Sequence, residues 1–425
     1  MWPRLPMVPL PGVFLPPASP PAQEPAPSYN NEVVRILQAR CQTCHRSGEH
    51  APFSLLTYRD AYDKRDDIRD AVKGRVMPPW KPVDGFGEFL EPRRLPDAEL
   101  TTLVAWIDAG APEGDPAKLP PPRVFPTGWR LGQPDHVLEM PEPYTVAARA
   151  SDVYRCFVIP TSFPEDRWVT KAEWAPGDRK IVHHILSFID TGTAAEALDR
   201  ADPGPGYSCF GGPGFTPAGG LSGWAPGIQP RVMDDGVGML LPKGARVVVQ
   251  MHYNNESPEP RTDRTRLGLH FAKGPIDKRQ RSIAVLNRAF AIPPGAKRHE
   301  VSASFTVPPG RDLHANSIAP HMHLLGREMK VTVTYPDGTV RPLIYIDDWD
   351  FNWQGNYTFT KPVPLPGGTR IDMVAVFDNS AENLRQPSKP PREVYWGEGT
   401  TDEMAIVFIG ITADGERIGW RPPAK

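Results

Sequence analysis

Proline occupies 53 of the 425 positions, far above the ~5% of an average soluble protein. It has no N–H to donate and its ring fixes φ, so it is kept out of helix interiors and central strands. Leu241-Pro242-Lys243-Gly244, Ile292-Pro293-Pro294-Gly295 and Val307-Pro308-Pro309-Gly310 are turn chemistry of the kind that separates short strands. A chain punctuated this often is expected to be mostly antiparallel β. The first 28 residues are so proline-saturated that they can neither pack a core nor supply the unbroken apolar run of a signal peptide. They read as a leader or tether.

Residues 29–117 carry helical signals instead. Asn30 is placed to cap a helix whose apolar positions are Val33, Ile36 and Leu37. A second helix is expected from about Tyr58 to Val72, ending at Gly74. A third is expected to start with Asp97 as cap, to carry the stripe Leu100, Leu103, Val104 and Ile107, and to stop at Gly110. Residues 118–128 form a stiff Pro-rich linker. Beyond it, strand-like runs recur between turns: Lys180 to Asp190, Arg246 to Asn254, Met329 to Tyr335, Arg370 to Phe377 and Met404 to Thr412. That length is large for one sandwich, so two tandem antiparallel β-sandwiches, 129–282 and 283–425, are expected behind a small all-α domain. A net charge of -2 without basic runs argues against a nucleic-acid partner. No stretch approaches the ~18 apolar residues of a membrane span.

Two motifs carry chemistry. Cys41-Gln42-Thr43-Cys44-His45 is the attachment pattern of a c-type haem, in which two thiols add to the vinyl groups and the histidine reaches the iron. A redox dithiol would be expected after a strand, and this motif follows a helix. A zinc site would need a second Cys/His pair, and only His50 is near. Downstream, Met77-Pro78-Pro79-Trp80 resembles a signature of bacterial cytochromes c, with Met77 as sixth ligand, which suits electron transfer. Covalent haem attachment implies a periplasmic or otherwise extracytoplasmic location.

The histidines of the β region are unevenly placed. His183 and His184 are adjacent, His252 lies two after Gln250, and His321 and His323 are separated by Met322. Residues i and i+2 of a strand share a face, so His321 and His323 can chelate one ion. Adjacent histidines face opposite ways unless the strand bulges or the rings use different nitrogens. Taken alone, each pair is more often structural. In order, however, Lys180-to-Phe188 with its paired histidines, Leu241-to-Tyr253, His321-to-Gly326 and Gly399-to-Met404 resemble the copper type II, ascorbate-dependent monooxygenases, the peptidylglycine and dopamine hydroxylase family. The resemblance runs from about Trp129 to Ile411; the helical segment lies outside it.

The resemblance implies two tandem sandwiches around a solvent-filled cleft, with two copper ions. One would be held by His183, His184 and His252 and would relay electrons. The other would be held by His321, His323 and Met404, where a soft thioether favours Cu(I), and would be the catalytic, O2-binding centre at which a C–H bond is hydroxylated. Tyr154, Gln250 and His314 match smaller family features, and Cys156 and Cys209 fall where the family has a disulfide. Peptide-processing members hold a substrate carboxylate with polar residues at positions that here are Ala319, Ile406 and Phe408. The expected substrate is therefore small and apolar. Electrons would come through the haem, from ascorbate or from an external donor. The competing readings are a copper-binding or electron-transfer protein without turnover, and a haem peroxidase.

Overall fold

The computed structural model describes residues 26–49, 51–210 and 212–422, so all but the last three residues of the Pro-rich leader lie outside the described residues. Strands dominate, and they form two sheet pairs, each closed over its own apolar core. In the first, a sheet ordered His136–Glu139, Arg266–Phe271, Arg167–Ala175, Val237–Leu241 and Lys278–Arg279 faces a sheet ordered Val182–Asp190, Arg246–Tyr253, Val153–Pro160 and Tyr207–Ser208. In the second, Arg281–Asn287, Ala405–Ala413, Leu313–His321 and Tyr357–Leu365 face His299–Thr306, Arg370–Phe377, Gly326–Thr334 and Val340–Ile346.

Two-residue periodicity decides which side chains leave these cores. In Arg246–Tyr253, Val247, Val249, Met251 and Tyr253 pack into the first core. Val248, Gln250 and His252 therefore face out, as do Tyr154 and Cys156 on the neighbouring strand. In the second pair, Ala405, Val407, Ile409, Ile318 and Met322 are core residues. Ile406, Phe408 and Gly410 face out with Ser317, Ala319 and His321, against which they are registered.

Cys156 is bonded to Cys209, 53 residues apart in sequence, with Cα atoms 5.7 Å apart. The bond ties the outer face of the first sheet to the loop beside it. Replacing both cysteines with serine is expected to destabilise this lobe by about 2–4 kcal/mol. Thermal melts with and without reductant check this: the wild type should lose stability in reductant, and the double variant should already melt low and not respond.

Within residues 29–117 the three expected helical runs are present, but residues 74–96 between them are irregular and bridge to the second lobe at Pro82 and Phe89; the runs themselves differ from the expectation in three ways. The first helical run begins at Tyr29, Ser28 precedes it, and Asn30 lies inside the first turn. The Asn30 amide donates instead to the Gly114 carbonyl. The second run is split at Lys64 into Tyr58–Asp63 and Arg65–Lys73, and Thr57 with Asp60 forms a capping box that fixes its start. In the third, Asp97 is the first helical residue and Pro96 precedes it, so Asp97 does not cap. It pairs with Arg75 instead.

This segment also packs against both lobes. Phe89 is part of the second core and stacks on Phe359 at 5.3 Å, while Trp80 meets Tyr357 edge-on at 5.4 Å. Leu90 donates its N–H to the Thr358 carbonyl at 2.8 Å. On the other side, Glu49 accepts from Arg179 at 2.8 Å and Arg130 at 3.3 Å, and Arg93 donates to the Gly227 carbonyl at 2.9 Å. Among the described residues, no helix is long and apolar enough to cross a membrane.

Candidate metal centre

Val182 pairs with Tyr253 and His184 with His252, which leaves His183 as the extra residue of a bulge. A bulge lets consecutive side chains share a side, and here it gathers both rings at the outward-facing His252. His183 Nδ1 lies 3.4 Å from His184 Nδ1, which lies 3.3 Å from His252 Nδ1. One ligand atom from each of the three falls within 4.8 Å of the others. Burial lowers the His183 pKa to about 4 and that of His184 well below the usual range, with His252 adding to both shifts. Imidazole lone pairs converging on one point are the donor set of a transition-metal ion, and three imidazoles suit copper or zinc.

The surroundings orient these rings. The Asp152 carboxylate sits 2.9 Å from His252 Nε2, so Nε2 carries the proton and Nδ1 is left to ligate. Asp152 adopts a φ of 52°, in the left-handed region that Asp tolerates better than most residues. Tyr154 stacks on His252 with centroids 4.2 Å apart and an interplanar angle of 9°. Gln250 is buried and donates to the Cys209 carbonyl at 2.7 Å. Asp152 also accepts from Thr400 Oγ1 at 2.6 Å, joining this site to the segment that leads to Met404.

At the second group the arrangement is reversed. His321 Nδ1 is bonded to Gln354 Oε1, and His323 Nδ1 lies 3.0 Å from the Asp402 carbonyl. Both Nδ1 atoms donate, so both Nε2 atoms are left to ligate. The rings are 5.1 Å apart, and burial lowers their pKa values to about 3 and about 4 respectively. Glu403, fully buried, accepts from the N–H groups of His323 at 2.8 Å, Leu325 at 2.6 Å and Met404 at 3.3 Å. It thereby fastens the backbone of Met404 to that of the His-x-His segment. Burial pushes its pKa up to about 8 against the pull of those three hydrogen bonds.

Phe351 lies between the two groups, 5.4 Å from the His183 ring and 5.7 Å from the His323 ring. An aromatic ring thus occupies part of the space that the family resemblance leads one to expect as solvent. His314 is bonded to Asp414 at 2.6 Å and takes part in neither group. Asp152, Glu403, Gln354 and Phe351 were not singled out from the sequence. Asp152 is 100 residues from its histidine and Glu403 is 80 from His323, so no local pattern announces them.

Cys41 and Cys44 are unbonded, with the N–H groups of Cys44 and His45 both donating to the Cys41 carbonyl. His45 Nδ1 lies 3.2 Å from the Phe53 carbonyl, which leaves Nε2 free. Burial pushes the Cys41 thiol up to about 12 and raises that of Cys44, the opposite of what a reactive dithiol needs. These residues fit covalent haem attachment with His45 as axial ligand. Met77 lines a cavity of about 350 Å³ with Trp80, Lys81 and Asp348. Cys44 lines a different one with Arg130, Trp174 and Trp224. Trp224 exchanges backbone hydrogen bonds of 2.8 and 2.9 Å with Ile185, the neighbour of His184.

Among known proteins, the chain is similar to DBH-like monooxygenase protein 1 of Homo sapiens, 25% identical over 283 residues, 60% of this chain and 43% of that protein. The chain therefore spans less than half the length of that relative. No family model matches. Among solved structures, the major capsid protein P2 from bacteriophage PM2 aligns with a TM-score of 0.27 and 11% identity, over 67% of this chain and 99% of that one. PNGF-II aligns with a TM-score of 0.28 and 11% identity over 65% of each chain. Likenesses this weak carry no argument.

Proposed function

We propose that this chain is a copper-dependent monooxygenase that hydroxylates a C–H bond of a small, largely apolar substrate with O2. The observation that carries the reading is the pair of histidine groups flanking Phe351, one with its Nδ1 atoms converging, the other with its Nε2 atoms left open. His183, His184 and His252 would hold one copper; His321, His323 and Met404 would hold a second, catalytic one. When bound, the two ions would supply single electrons and the means of activating O2. The chain's residues would orient both groups, favour the neutral rings of His183, His184, His321 and His323, and restrict water between them. The similarity to a DBH-like monooxygenase supports the class of reaction. The outward-facing Ala319, Ile406 and Phe408 support an apolar substrate. The test is oxygen uptake with labelled-oxygen incorporation on copper-loaded protein over a panel of apolar and aromatic compounds. Uptake that needs copper and reductant, with label in the product, is the expected result; no incorporation with any of them would defeat the proposal.

The same reading gives residues 29–117 a covalent haem c on Cys41 and Cys44, with His45 and Met77 on the iron. It places the protein outside the cytoplasm, with electrons from the haem or an external donor. Electrons from the haem would reach the first histidine group by way of Trp224, which lines one cavity with Cys44 and exchanges backbone hydrogen bonds with Ile185, the neighbour of His184. Protein produced with haem-attachment machinery is expected to give a c-type pyridine haemochrome band after denaturation. Haem that leaves in acid acetone would contradict the attachment.

A further inference from the structure

The outward face of the Leu313–His321 and Ala405–Ala413 sheet does not end at the histidines. From His321 beside Ile406 it continues through Ala319 beside Phe408 to Ser317 beside Gly410. There it meets Arg231, on the short strand Arg231–Val232 that pairs with Lys171 and Ala172 of the first lobe. Arg231, Gln280, Asn316, Ser317, Asn356 and Thr358 line a cavity of about 90 Å³ between the lobes.

Three observations set this cavity apart. First, among the described residues the Arg231 guanidinium forms no ion pair with a carboxylate, and Arg231 is half-buried on the cavity wall, which lowers its pKa. A partly desolvated guanidinium without a protein counter-ion is open to an anion from solution. Second, Asp234, the acidic residue on the cavity wall, is exposed and forms no ion pair with it. Third, the polar wall is built in. A Cβ at position 410 would meet Ser317 Oγ at 2.3 Å, Asn316 Oδ1 at 2.6 Å and Gln280 Nε2 at 2.9 Å. Only glycine lets these groups crowd together, and Gln280 and Asn316 are locked by reciprocal amide hydrogen bonds of 3.2 and 2.6 Å.

We infer that this cavity is an anion subsite that takes the carboxylate of an otherwise apolar substrate, with Arg231 as its fork-shaped donor. His321 lies four residue steps along the strand from Ser317, on the order of 13 Å at ~3.3 Å per step. The face between them carries Ala319 and Phe408. An elongated acid would lie with its charged end at Arg231, its apolar chain along that face and its far carbons near His321. The substrate class follows: a carboxylic acid with an extended hydrocarbon body, held at the end remote from reaction. This use of the cavity rests on the monooxygenase reading; binding of the anion does not.

The test is calorimetric binding to copper-loaded, full-length protein without reductant, so that no turnover occurs. The probes are straight-chain carboxylates from hexanoate to tetradecanoate and the primary alcohols of the same lengths. The wild type is expected to prefer acids over alcohols by about 10- to 100-fold. R231Q is expected to lose that preference while melting no lower than wild type, because no ion pair is broken. R231K, which keeps the charge without the fork, should retain a weakened preference. Equal affinity for acids and alcohols in the wild type, or an undiminished preference in R231Q, would overturn the subsite. Acid-selective binding in a protein that takes up no oxygen with any acid would leave the subsite standing and count against the monooxygenase reading instead.

Discussion

With the two copper sites proposed above, His184→Ala is expected to remove one of two copper equivalents from each chain and nearly all turnover. His184 is the middle of its group: its Nδ1 lies 3.4 Å from that of His183 and 3.3 Å from that of His252. Removing it leaves two imidazoles that no longer enclose a point. Loss of an outer-shell partner typically costs 10- to 100-fold in affinity or activity, so loss of the central ligand should exceed the upper end of that range. His321, His323 and Met404 lie on the other lobe and should keep their ion, which separates ligand loss from unfolding. Metal analysis, the Cu(II) resonance spectrum and oxygen uptake read the three effects. His184→Gln, which keeps bulk and a polar end, should show the same stoichiometry with a milder change in melting temperature. Two coppers and full turnover in His184→Ala would mean that these histidines are structural.

The second large effect is expected at a residue that would touch no metal. Glu403→Ala strips the acceptor from three buried N–H groups, those of His323, Leu325 and Met404. Each unsatisfied donor costs roughly 1–3 kcal/mol, so the second lobe should lose at least about 3 kcal/mol. For a lobe of this size that is a fall of roughly 6–12 °C in melting temperature. Because the same carboxyl fastens Met404 to the His-x-His segment, copper should be lost selectively from the His321, His323 and Met404 side. Glu403→Gln keeps one oxygen acceptor and turns an amide toward donors at the other, so it should fall between alanine and wild type in both stability and copper retention. Wild-type melting in both variants, with both coppers retained, would show that Glu403 does not position the ligands.

Some of this protein was legible in its residues alone. Proline density implied short strands and sharp corners because a residue without an N–H cannot sit inside a ladder or helix. The two-residue spacing of Gln250 with His252, and of His321 with His323, put each pair on one face, since strand geometry has that period. Position-by-position resemblance to a family indicated Cys156 and Cys209 as partners, and they are bonded. Helical signals pointed to the three helical runs before Pro116, although Lys64 splits one of them and Asn30 does not cap another.

Other features came only with the tertiary structure. Sequence alone leaves open whether His183 and His184 share a side; the pairing of Val182 with Tyr253 and of His184 with His252, one residue out of step, decides it. Asp152 and Glu403 act on histidines 100 and 80 residues away. Phe351 reaches both lobes, and Phe89, in a segment that read as a separate unit, belongs to the second core. Arg231 meets the outward face of the second lobe across the cleft. Periodicity and caps act over a few residues, so local sequence records them. The ring of a bulged histidine, its carboxylate partner and an unpaired guanidinium in a cleft are set by distant strands brought together, and that information exists only once the two cores have closed.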